Sequence, residues 1–100
     1  MGQYFTRDYL YRIRNEIPVH SLLQHLDWPS KYREGDLFFL CPDPTCREFM
    51  VKETPQANLG HCFQCDRNFN PIDLTMLIEH VEFIEAIERL DPLLRRYSPR

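Results

Sequence analysis

The 100-residue sequence has no apolar stretch of about 18 residues, the length a membrane-spanning helix needs. Its start, MGQYFTRDYLYRIRNEIP, contains no uninterrupted apolar run and does not read as a signal peptide. No internal repeat, low-complexity segment or phosphate-binding loop is present, and no acidic cluster beside a glycine-rich loop would hold catalytic Mg²⁺. No paired nucleophile and base stands out either, so the chain reads as a non-catalytic module. A strong excess of one charge is also missing. Twelve Lys and Arg face fifteen Asp and Glu, a net charge of -3, so no overall field marks a nucleic-acid partner. The expected setting is a soluble, cytoplasmic protein with no membrane contact.

What is present points to a single small domain over residues 1–100. Hydrophobic content of 43% and thirteen percent aromatics argue against disorder. A chain this short buries only part of its apolar surface and benefits from a metal or disulfide staple. The acidity is uneven: residues 71–100 carry six acidic and four basic groups, whereas residues 1–70 are close to balance.

The chain divides into helices at both ends and extended segments between them. Residues 4–16 read as a helix with Tyr9, Leu10 and Ile13 on one side. Residues 17–28 read as a second, opened by Pro18 and ended by Pro29, with Val19, Leu22, Leu23 and Leu26 at helical spacing. Residues 31–40 suggest two short strands joined at Gly35, and 47–53 and 58–63 are further strands around a turn at TPQAN. DRNFN (66–70) reads as loop. Asn70, Pro71 and Asp73 then give an N-cap, a first helical position and a dipole-matching acid, with an apolar stripe through Ile72, Met76, Leu77 and Val81. Residues 82–90 form a last helix that Pro92 is expected to break, leaving 93–100 as a turn and tail. The fold class is α+β, a small antiparallel sheet flanked by helices.

Four cysteines carry the chemistry. Cys41, Cys46, Cys62 and Cys65 form C-x4-C-x15-C-x2-C. An intracellular setting disfavours disulfides and favours metal binding. Two thiolates of a C-x2-C turn can face one ion, and four around Zn²⁺ make a closed tetrahedral site, structural because no position is left for water or substrate. His61, next to Cys62, is the alternative to Cys46 as fourth ligand, although strand neighbours point to opposite faces. A redox role for Cys62 and Cys65 is the other reading of that pair. His20, His25 and His80 read as ordinary helix residues.

The segments LCP at 40–42, HCFQC at 61–65 and NPIDLTMLIEHVEFIEAIERL at 70–90 resemble the N-terminal zinc-binding domain of bacterial primases, over about residues 12–92. That family carries a Cys-Pro-x-His knuckle, a hairpin, a His-Cys-Phe-x-Cys knuckle and a following helix. Pro44 stands where the family has its histidine, and Cys46 resembles a substitute, as in four-cysteine phage primases. DRNFN replaces the family's glycine-rich turn. The resemblance implies a zinc ribbon over about residues 31–70 with one structural Zn²⁺ and a sheet surface for single-stranded template DNA. It also implies an accessory role in replication or priming, with polymerisation left to a separate domain for which this chain has no room. On this resemblance the chain is expected to be an accessory recognition module, a fragment, or a stand-alone relative from a phage or mobile element.

Basic and aromatic residues near the expected sheet are the candidate DNA contacts: Lys31, Tyr32, Arg33, Phe38, Arg47, Lys52, His61 and Arg67. Phe39, Phe49 and Phe63 are expected in the core. The alternative function is an adaptor that docks onto a helicase, polymerase or primase catalytic chain through the aromatic N-terminus and the acidic C-terminal helices.

Overall fold

Short-range signals set the first two helices. A computed structural model describes residues 5–97; Tyr4, where the first helix is expected to begin, and the tail at 98–100 lie outside the described residues. Helix α1 spans Arg7–Asn15, where Thr6 caps it by accepting the Tyr9 N–H at 3.1 Å. Asp8 in its first turn and Arg12 and Arg14 in its last suit the helix dipole. Helix α2, Val19–His25, follows extended Pro18 and buries Val19, Leu22 and Leu23. It ends before Pro29 because Asp27 turns into the left-handed region (φ 55°) and the Trp28 N–H reaches back to the Leu23 carbonyl.

The sheet is an antiparallel meander in the order β1-β2-β3-β4-β5. Its strands are β1 (Ser30–Arg33), β2 (Asp36–Phe39), β3 (Val51–Thr54), β4 (Leu59–Cys62) and β5 (Asn68–Phe69). Glu34 and Gly35 link β1 to β2 with positive φ at both positions, the pattern of a two-residue hairpin turn whose twist matches its strands. Two expectations are corrected here. Residues 47–50 are not strand: Arg47 has φ 56°, and the Asp43 carbonyl accepts the Cys46 and Arg47 N–H groups. DRNFN is not all loop: Asn68 and Phe69 pair with His61 and Gly60, because Phe69 is buried beneath the helices.

Alternation divides the sheet into two faces. Leu37, Phe39, Val51, Glu53, Gly60, Cys62 and Phe69 share the inner, buried face. Gly60 is needed there because a Cβ would lie 2.6 Å from the Phe39 ring and 2.7 Å from a Val51 methyl. On this side α3 (Pro71–Glu79) packs against β5, α4 (Phe83–Tyr97) packs on α3, and α1 contacts both helices. The start of α3 is as the sequence predicts: Asn70 and Asp73 exchange side-chain and backbone hydrogen bonds at 2.9 and 3.0 Å.

Pro92 does not break α4, which continues to Tyr97. An interior proline costs about 3 kcal/mol. Burial of Leu93 and Leu94 on the same core face returns roughly 1.5–3 kcal/mol each. The carbonyl that Pro92 deprives of a partner belongs to Glu88, which is exposed to water. Phe5 and Tyr9 stack at 5.7 Å, Phe5 meets Phe83 edge-on, and the Tyr9 hydroxyl donates to Asp91 at 2.5 Å. Burial, and then Asp91, push the Tyr9 hydroxyl up to about 12.

One side chain fastens the helical N-terminus to the sheet. Asn58, in the β3–β4 turn at φ 51°, accepts the Val19 N–H at 3.1 Å and donates to the Arg14 and Ile17 carbonyls, both at 2.8 Å. Beside it, Glu53 accepts from the His20 backbone at 3.1 Å and meets its ring at 2.9 Å. Asn58→Ala strands three backbone groups and places a non-glycine, non-asparagine residue at positive φ. Chemical denaturation is expected to show a loss of roughly 3 kcal/mol.

Candidate metal centre

The four cysteines sit on two loops that close the same end of the sheet. Cys41 follows β2 by two residues, and its N–H donates to the Glu48 carbonyl at 2.9 Å. The first loop turns at Asp43, whose carboxylate accepts the Thr45 N–H at 2.9 Å and the Thr45 hydroxyl at 2.8 Å. This Asx turn folds the four intervening residues tightly enough to return Cys46 towards Cys41. Cys62 ends β4, and its carbonyl accepts the Asp66 N–H at 2.9 Å. Asp66 itself has φ 60°. Aspartate tolerates that backbone, so the turn forms without the family's glycines.

All four sulfurs lie within 4.8 Å of one another. Cys41 and Cys65 are 3.8 Å apart, as are Cys46 and Cys62. A tetrahedron with metal–sulfur bonds of about 2.3 Å has edges of about 3.8 Å. The cysteines are free thiols, with sulfurs well beyond the ~2.05 Å of a disulfide. The set can therefore hold one metal ion and fits the dimensions of a closed thiolate site.

Backbone donors prepare the sulfurs for negative charge. The Cys65 and Gln64 N–H groups reach Cys62, the Asp43 N–H reaches Cys41 and the Arg67 N–H reaches Cys65. Burial opposes ionisation of Cys62, but its backbone donors and neighbouring thiols outweigh it and its thiol is pulled down. Burial pushes Cys41 up, and burial with the neighbouring Cys62 pushes Cys65 up. A bound cation reverses these last two shifts, since a coordinated thiol is deprotonated.

His61 is not among the converging donors. Its ring meets Asn68 at 2.8 Å and Asp66 at 3.3 Å, on the opposite face of β4 from Cys62. His20 is engaged with Glu53, and His80 caps α3 with φ 58°.

The other candidate residues are spread over several places. Pairing aligns Lys31, Phe38, Lys52, His61 and Asn68 in one row across all five strands, on the outer face. Arg33 lies beside Phe38 on that face, 5.2 Å from its ring. Tyr32 is 69% exposed but alternates to the other side, opposite buried Leu37. Arg47 rests 5.5 Å from the Trp28 ring, and Arg67 binds Asp43 at 2.7 Å while lying 5.0 Å from the Phe69 ring. Of the phenylalanines expected in the core, Phe39 is buried, Phe49 is half-buried under Lys31, and Phe63 is 58% exposed against His61. The sequence held a signal for Phe63. Cys62 must face inwards, so its neighbours 61 and 63 face out.

Metal binding must displace thiol protons, so apparent affinity is expected to fall as the pH is lowered from about 8 to 6. Wild-type protein is expected to retain one ion per chain at pH 8, and Cys46→Ala to lose or loosen it. His61→Ala is expected to retain it. Elemental analysis after gel filtration checks both.

No family model matches the chain. Over 80 residues, 78% of its length, the chain is 31% identical to a DNA primase of Streptomyces coelicolor. The matched part is 12% of that protein. The chain is thus similar to one segment of a DNA primase and carries four cysteines placed to bind a metal.

Proposed function

We propose that this chain is a primase-type, non-catalytic module in which one structural Zn²⁺, held by Cys41, Cys46, Cys62 and Cys65, stabilises a sheet that binds single-stranded DNA during replication or priming. The similarity to a DNA primase segment and the fit of four sulfurs to a zinc tetrahedron support the first part. The outer face of the sheet carries the second.

That face alternates cations and rings. Lys31 sits 5.0 Å from the Phe49 ring, Arg33 sits 5.2 Å from Phe38, and His61 meets Phe63 edge-on at 5.2 Å. Lys52 lies between Phe38 and His61 in the cross-strand row. Successive bases stack on exposed rings while lysine and arginine meet the phosphates. Binding is expected to be weak, because Asp36 pairs with Lys52 at 3.5 Å and Asp66 lies 3.3 Å from the His61 ring. Strong sensitivity to salt follows.

Docking onto a helicase, polymerase or primase catalytic chain is the second reading. Phe83 and Ile84 at the start of α4 are exposed beside Glu82 and Glu85. The N-terminal Phe5 and Tyr9 are already packed within the domain.

Fluorescence anisotropy with a labelled mixed-sequence single strand tests the DNA reading. Phe63→Ala is expected to weaken binding about tenfold, corresponding to loss of one stacked base. Lys52→Ala is expected to lower the salt slope by about 0.7. Tyr32→Ala, altered on the other side of the sheet, is expected to bind as wild type. Wild-type binding by the first two variants, or a larger loss from Tyr32→Ala, would count against the outer face.

A further inference from the structure

Two residues outside the sulfur set join the two metal-binding loops. Asp43 is the centre of the first loop. Its carbonyl accepts the Cys46 N–H at 3.0 Å and the Arg47 N–H at 3.2 Å, and its N–H reaches the Cys41 sulfur. One carboxylate oxygen, Oδ1, is occupied by Thr45, and the other, Oδ2, accepts from Arg67 Nη1 at 2.7 Å. Arg67 is the corresponding centre of the second loop. Its carbonyl accepts the Cys62 N–H at 2.9 Å, and its N–H reaches the Cys65 sulfur. The ion pair therefore ties together, across 24 positions of sequence, the two residues whose N–H groups face the Cys41 and Cys65 sulfurs and whose carbonyls accept the Cys46 and Cys62 N–H groups.

We infer that the Asp43–Arg67 pair is a clamp that retains the metal, and that Arg67 is a positioning residue and not a phosphate contact. Release of a metal from a closed site requires the loops to part, and the pair is broken whenever they do. The Asp43 side chain is largely buried and already held by Thr45, so little freedom is lost in forming the pair. The Arg67 guanidinium is braced on Phe69, whose burial fixes the far end of the clamp to β5. Its charge also lies beside a centre in which four thiolates exceed the charge of one Zn²⁺. Partners of this kind outside the ligand set typically change metal affinity by about 10–100-fold.

This inference rests on the zinc reading above. Zinc-loaded protein is challenged with excess chromophoric chelator and the rate of zinc transfer followed. Asp43→Asn leaves an oxygen for Thr45 but removes the acceptor for Arg67, so it breaks the clamp without breaking the turn. Asp43→Asn and Arg67→Ala are each expected to release zinc about tenfold faster, and the double variant no faster than either. Arg67→Lys is expected to restore part of the retention. Release at the wild-type rate from both single variants, or full additivity in the double variant, would overturn the clamp. A wild-type chain that cannot be loaded with zinc would overturn the underlying zinc reading instead.

Discussion

Four sulfurs on two loops must approach within the edge of one small tetrahedron, and much of the domain serves that requirement. Like-charged thiolates repel, so the loops need a cation between them to be stable in the ionised form. In return, a bound ion would supply a cross-link to a small domain whose four cysteines are free thiols. The residues that make the approach possible are local: the Asx turn at Asp43, the left-handed turn at Asp66 and the backbone donors aimed at sulfur.

The sheet extends that order away from the metal. Cys62 is both the end of β4 and a member of the sulfur set, so fixing it fixes the phase of alternation along the strand. Inward residues Val51, Gly60 and Phe69 are then buried, while Lys52, His61 and Phe63 face out. The core and the proposed DNA surface are thus opposite sides of one register. Asn58 closes the far end of the β3–β4 hairpin onto the helical N-terminus, so the sulfur set and the Asn58 contacts bracket the same two strands.

Much of this was legible in the residues themselves. The capping box at Asn70 and Asp73, the hairpin at Gly35 and the cysteine spacing all rest on local chemistry, and the sequence shows local chemistry directly. The remainder depended on burial. Pro92 reads as a helix breaker until Leu93 and Leu94 are known to be in the core, and Phe69 reads as loop until it is known to lie under the helices. Tyr32 and Phe63 show the same limit from the other side. An aromatic residue in a short strand cannot be assigned to a face until the register is fixed, and here the cysteines fix it.

The central claim is that four sulfurs, and no histidine, surround one zinc. X-ray absorption at the zinc edge of the loaded protein measures this directly. The account predicts a single shell of four sulfur scatterers at about 2.3 Å. A shell of three sulfurs with a nitrogen at about 2.0–2.1 Å would contradict it and bring a histidine into the site.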